Sequence, residues 1–189
     1  MDKYNSEHND QYLLEVNLLG AKTYEELKEA EAFTFAIRAA ELEQKKTYMD
    51  SFHEQDFKQL HRFLFQDMYP FAGKYRNVQL MKGNTRFCQA EFISSYAHSL
   101  FMELNNEPGW ESKEQAADRL AYFKTELNIL HPFREGNGRT IRMFLHAYAL
   151  TKGFEWEYEE LNRETYMQAM IASVTDSRPL YRLLLKTIQ

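Results

Sequence analysis

The stretch His131-Pro-Phe-Arg-Glu-Gly-Asn-Gly-Arg-Thr-Ile-Arg142 separates two runs of helical periodicity and gathers the chain's most reactive side chains. Upstream, Leu120, Phe123, Leu127 and Leu130 form an apolar stripe at three- and four-residue steps; downstream, Ile141, Phe144, Leu145 and Tyr148 begin another. Pro132 disfavours helical geometry in the residue before it, so His131 is expected on a loop. Gly136 and Gly138 flank Asn137, which opens backbone conformations closed to other residues. Their amides, with the free N–H groups of the helix that starts here, make a nest for an anion. Arg139 and Arg142 are three apart and are expected on one face of that helix's first turn. Glu135 places a carboxylate among phosphate-binding groups, where a phosphate-bridging Mg2+ would need one. A base, a metal ligand, an anion nest and two cations are the parts of phosphoryl or nucleotidyl transfer. Each has a plainer use alone, since Gly-Asn-Gly makes turns and a Glu complements a helix N-terminus. Their coincidence in one short window favours chemistry.

Working outward, helical spacing continues. From Thr23 to Gln44, Leu27, Ala32, Phe35, Ala39 and Leu42 recur on one face, and Thr23 with Glu26 forms a capping box. Phe57, Leu60, Leu64 and Met68 repeat the pattern before Pro70, and further helices are expected from Leu161 to Ala172 and from Pro179 to Ile188. One segment alternates instead. Arg76, Val78 and Leu80 interleave with Asn77, Gln79 and Met81, Lys82-Gly83-Asn84 follows as a turn, and Arg86-Phe87-Cys88 reads as the return strand. The expected class is all-α with one small β-hairpin. Without repeats or linkers, residues 1–189 read as one domain, with a motif core over about 56–150 and a helical extension over 1–55.

The 189 residues, 44% of them hydrophobic, suffice for a real core. A net charge of −5 argues against a general nucleic-acid binder. Cys88 is the single cysteine, so no intramolecular disulfide forms; it is expected to pack within the hairpin. The polar N-terminus lacks a secretory h-region, and no apolar run reaches bilayer length. These features lead us to expect a cytoplasmic protein without membrane contact.

The segment from His131 to Arg142 matches, without departure, the pattern H-P-F-x-(D/E)-G-N-G-R-x-x-R, and so resembles the Fic family. Leu60-His-Arg-Phe-Leu-Phe and Tyr69-Pro-Phe-Ala-Gly-Lys-Tyr-Arg76 are similar to the stretch before that family's hairpin, and Lys82 through Phe87 resembles its target-clamping flap. The likeness covers about Asp56 to Leu150. It implies a Fic fold and transfer of AMP from ATP to a Tyr, Thr or Ser hydroxyl of a protein target, with pyrophosphate leaving. On the matching positions, His131 would be the base and Glu135 would hold Mg2+ across the α- and β-phosphates. Gly136, Asn137 and Gly138 would form the anion hole, Arg139 and Arg142 would neutralise the β- and γ-phosphates, and Lys82 and Gly83 would lie on the flap above the nucleotide. Phe133 would anchor the loop in the core. A kinase-like branch of the superfamily carries Lys at the place of Gly138, so glycine here favours AMP transfer. Transfer of UMP or phosphocholine stays open, as the motif does not read the base.

Two readings lie outside this family role. A metal-dependent hydrolase would use His131 and Glu135, with His146 as the candidate third ligand, but the segment's one His and one Glu fall short of the usual set of three, and a peptide-binding module would use only the hairpin edge. Regulation is read from what is missing. Fic proteins are often restrained by a helix bearing (S/T)-x-x-x-E-(G/N); Thr151 to Glu155 has the spacing, but Trp156 follows. Little chain after the last expected helix is left for such an element, and the segment from Tyr12 to Leu42 resembles Fic proteins that receive it from a small antitoxin. The expectation is a toxin-like enzyme silenced in trans.

Overall fold

The computed structural model describes residues 6–44, 49–82, 85–158 and 161–189. Helix α1 (Ser6–Val16) leads into α2 (Tyr24–Glu43), which opens on the expected capping box. Thr23 Oγ1 accepts from the Glu26 N–H at 3.2 Å and Glu26 accepts in return from the Thr23 N–H at 3.3 Å. Helix α3 (Glu54–Phe65) buries Phe57, Leu60, His61, Leu64 and Phe65 on one face. It stops short of Met68, the last member of the expected run.

The same helical periodicity underlies α4 (Ile93–Asn106), a helix absent from the elements expected above; Ile93, Ala97, Leu100, Phe101 and Leu104 are its buried stripe. Helix α5 (Lys113–Leu130) is capped by Ser112, and α6 (Asn137–Thr151) follows the decisive loop. Asn162 caps α7 (Arg163–Ala172), and a proline sits in the first turn of α8 (Arg178–Thr187), where its missing N–H costs nothing. Helix α5 packs against α4, α6 and α8, while α3 packs against α2, α4 and α6. Phe57 is fully buried where these layers meet, with ring centroids 5.4 Å from Phe101, 5.3 Å from Phe133 and 5.0 Å from Phe144. The functional loop is thus tied to the core through Phe133.

The hairpin is smaller than its alternation promised. Strand β1 (Met81–Lys82) pairs antiparallel with β2 (Thr85–Arg86), Met81 opposite Arg86 and Lys82 opposite Thr85. Residues 76–80 are not strand, because Arg76 is buried and its donors go to loop carbonyls rather than to a ladder. Lys82 belongs to a strand instead of the turn, and Gly83, with the role expected of it, lies outside the described residues. Cys88 follows β2 unpaired as strand, half-buried, its N–H donating to the Ile129 carbonyl at 2.8 Å. No helix among the described residues is long and apolar enough to cross a membrane.

Candidate active site

Helix α5 ends at Leu130, and His131 turns the chain with φ 41° and ψ 57°, the one left-handed non-glycine residue among those described. Phe133 then enters the core, and Asn137 closes the loop behind it. Its Oδ1 accepts from the Phe133 N–H at 2.8 Å and its Nδ2 donates to the Phe133 carbonyl at 2.8 Å. The Asn137 side chain is therefore a buried staple, and what it offers an anion is its main-chain N–H at the start of α6. Gly136 has φ 78°, and a Cβ there would come within 2.4 Å of the Phe65 ring, so only glycine fits.

Two residues not singled out in the sequence hold this loop from outside. His61 on α3 accepts the Gly73 N–H on Nδ1 at 2.8 Å, which leaves Nε2 protonated to donate to the Glu135 carbonyl at 2.9 Å. Burial pushes the His61 ring down to about 4, so it stays neutral, stacked 3.7 Å from Phe133. Arg76 donates from Nε to the His131 carbonyl at 2.8 Å. Both residues fall in stretches that carry the family likeness, but nothing in their local spacing announces partners so distant in sequence.

The His131 ring stacks on Phe87 of the flap, with centroids 3.7 Å apart and planes 10° from parallel. Though the residue is half-buried by exposed area, packed atoms hem in the ring and drive its pKa down to about 3. The positive charges of Arg76 and Lys82 add to this, and the Asn128 main chain opposes it. Nδ1 is buried without a hydrogen bond of standard geometry. At neutral pH the ring is an uncharged imidazole.

Glu135 keeps 37% of its side chain exposed, with Oε1 accepting from the Gly136 N–H at 2.9 Å and lying 3.4 Å from Arg139 Nη2. Its close packing and the neighbouring Glu31 raise its proton affinity; Gly136, Arg139 and Lys82 oppose them. Arg139 is heavily partnered. Its Nη2 donates to Glu31 Oε1 at 2.5 Å, and its guanidinium carbon lies 5.1 Å from the Phe35 ring centre and 4.8 Å from that of Phe65. Glu31 also accepts from the Tyr69 hydroxyl. Arg142 differs sharply. It lies 5.2 Å from the Tyr158 ring centre, and its buried Nε has no hydrogen-bond partner among the described residues. Behind it, Lys124 is only 2% exposed, its ammonium 4.9 Å from the Trp156 ring centre and 5.3 Å from that of Tyr166. Burial, then Arg142, pull Lys124 down to about 7. The two arginines expected on one face thus lean on different walls.

Gly138 is exposed, and a Cβ there would meet nothing within 4 Å. One partly open carboxylate, Glu135, with free ground at Gly138 fits a hard cation that completes its shell with phosphate oxygens and water. They do not fit a zinc centre; His146 turns its Nδ1 to the Trp156 carbonyl at 3.0 Å, and no group of three metal-binding side chains occurs among the described residues. His131, Glu135, Gly136, Asn137, Gly138 and Arg139 share one loop and helix start, Lys82 acts electrostatically on both His131 and Glu135, and Arg142 sits one turn along α6.

Residues 51–149 match the model of the Fic/DOC family. Protein adenylyltransferase VbhT of Bartonella schoenbuchensis is 35% identical over 173 residues, which are 90% of this chain and 36% of that protein. The chain therefore spans little more than a third of VbhT. The probable protein adenylyltransferase Fic of Escherichia coli is 31% identical over 155 residues, covering 81% of this chain and 76% of that one. Among solved structures, BepC of Bartonella tribocorum with bound AMPPNP superposes with a TM-score of 0.83 at 21% identity, over 92% of this chain and 91% of that one. With its glycine-bearing loop at a helix start, a hairpin against the histidine and this match over the segment that contains both, the chain belongs to the Fic/DOC family.

Proposed function

We propose that this domain is a protein adenylyltransferase that moves AMP from ATP to a Tyr, Thr or Ser hydroxyl of another protein. The observation that carries the reading is a neutral His131 at the lip of an anion nest whose Arg142 has no carboxylate paired with it among the described residues. ATP is the donor, and Glu135 would hold Mg2+, which would supply charge to offset that of the phosphates. The target hydroxyl attacks the α-phosphorus, the bond to the β-phosphate oxygen breaks, pyrophosphate leaves, and His131 accepts the hydroxyl proton. Main-chain N–H groups of Asn137 and Gly138 at the start of α6 would receive the anion, while Gly136, whose own N–H is taken by Glu135, turns the chain there; Arg139 and Arg142 would lie over the outer phosphates and Lys82 above from the flap. A base with a pKa near 3 is weak. Burial is the larger cause of that low value; phosphate charge beside Arg76 and Lys82 would offset only their share of it and so shift the imidazole upward when the donor is in place. The names of the relatives and the AMPPNP bound to BepC support this choice over the UMP and phosphocholine alternatives.

Restraint by a separate antitoxin in the cytoplasm is the regulatory reading, supported by the N-terminal likeness and by Arg142, which has no carboxylate partner among the described residues and which a carboxylate from a partner would neutralise. The test is transfer of α-32P label from ATP and Mg2+ into a bacterial lysate by the wild-type chain and by His131→Ala. Loss of at least 100-fold in the variant is expected; label that persists would remove His131 from the chemistry. An isolated wild-type chain that is silent until an internal Glu is replaced would overturn the antitoxin reading.

A further inference from the structure

The hairpin that carries Lys82 and Phe87 is too small to place itself. Two residue pairs and the 3.4 Å bond from the Phe87 N–H to the Leu80 carbonyl make up its described pairing, and isolated two-stranded hairpins are marginal in water. Something else must hold its roots. Arg76 is 5% exposed and donates from Nη1 to the Val78 carbonyl at 2.6 Å and from Nη2 to the Cys88 carbonyl at 2.6 Å, one on each side of the hairpin. The same guanidinium donates from Nε to the His131 carbonyl at 2.8 Å and reaches the Leu130 carbonyl at 3.5 Å, while its main-chain N–H bonds the Pro132 carbonyl at 2.8 Å.

The geometry points to Arg76 as a positioning residue that clamps both roots of the flap to the backbone of the catalytic histidine, so that docking of a target segment on the flap is felt at His131. This deepens, and rests on, the adenylyl-transfer reading. Only a planar fork with five donors can satisfy carbonyls on three chain segments at once; an ammonium has three donors and no fixed plane. The carbonyls of Leu130 and His131 form the negative end of α5, which suits a cation. No carboxylate pairs with Arg76 among the described residues, so carbonyl dipoles alone offset its charge. Although burial lowers its pKa to about 10, it remains charged at neutral pH. A clamp of this kind makes the Phe87–His131 stack a property of flap position.

The experiment compares Arg76→Lys and Arg76→Gln with the wild-type chain by three readouts: amide hydrogen exchange, calorimetric binding of AMPPNP with Mg2+, and α-32P transfer into lysate across ATP concentrations. In both variants we expect exchange over residues 78–88 to quicken at least tenfold while α5 and α6 stay protected. AMPPNP affinity and the KM for ATP should stay within twofold, and the rate at saturating ATP should fall at least tenfold. If Arg76→Gln fails to fold, Arg76→Lys alone decides. Exchange that quickens evenly across α5 and α6, or AMPPNP affinity lost in step with transfer, would reduce Arg76 to a fold-stabilising residue. A lysine variant with wild-type exchange and rate would also overturn the clamp. A wild-type chain that transfers no AMP would defeat the adenylyl-transfer reading, and the exchange data would still judge the clamp.

Discussion

The two walls of the site are built on opposite electrostatic plans. On the α2 wall, Arg139 is met by Glu31, Glu135 and two phenyl rings, and Gly136 is pressed onto Phe65. On the opposite wall, Arg142 and Lys124 meet aromatic rings and each other's charge, with no carboxylate paired to either among the described residues, and Gly138 faces open space. One wall is complete in itself. The other carries positive charge that the described residues do not neutralise, which is where the proposed function would put the most highly charged end of a nucleotide or a partner's carboxylate.

The sharpest test of closed against open ground is the glycine pair. Gly136→Ala forces a Cβ onto the Phe65 ring at a positive φ, and should cost roughly 2–4 kcal/mol of folding stability. Gly138→Ala should change the folding free energy read by chemical denaturation by less than about 0.5 kcal/mol; equal losses would mean the two walls are packed alike. The arginines come next. Arg139→Ala leaves Glu31 without its cation and should destabilise the fold by roughly 1–3 kcal/mol. Arg142→Ala should leave stability unchanged but weaken AMPPNP roughly 10- to 100-fold by calorimetry, the worth of charged hydrogen bonds.

A smaller effect tests the buried lysine. The folded chain gives up the Lys124 proton near pH 7, whereas the unfolded chain holds it to about 10.5. Its desolvation penalty is therefore complete below pH 7 and shrinks as pH rises toward 10. Lys124→Met should gain of order 1 kcal/mol at pH 6, a Tm rise of about 2–4 °C, and the gain should fade by pH 9.5. A gain that grows with pH would show that Lys124 has an anionic partner. Smallest is Glu31→Gln, which keeps hydrogen bonds to Tyr69 and Arg139 while removing a charge near the phosphates. AMPPNP should bind no more than about threefold tighter; a gain beyond tenfold would make Glu31 an internal inhibitor and erase the contrast between the walls.

Legibility in the sequence followed the range of each interaction. The loop's character was readable because Pro132, Gly136 and Gly138 act on their own backbone. Capping of α2 was readable for the same reason. The stripe of α4 was equally local and was passed over. The hairpin was overextended because alternation in residues 76–81 looks like a strand until Arg76 is seen to be buried and turned toward α5. The divergence of Arg139 and Arg142 was hidden, since their spacing says nothing about which walls flank α6.

By itself the sequence determined the helical class, the break at His131 and the gathering of a histidine, a carboxylate and two glycines at a helix start, because these depend on φ preferences, periodicity and neighbours a few residues apart. Only the tertiary structure decided that His61 carries its proton on Nε2 and that Phe87 covers His131. It alone decided, too, that Arg76 joins three segments and that, among the described residues, Arg139 has carboxylate partners while Arg142 has none. Each of these depends on groups dozens of residues apart meeting within a few ångströms, and on the desolvation that meeting brings, neither of which leaves a periodic trace along the chain.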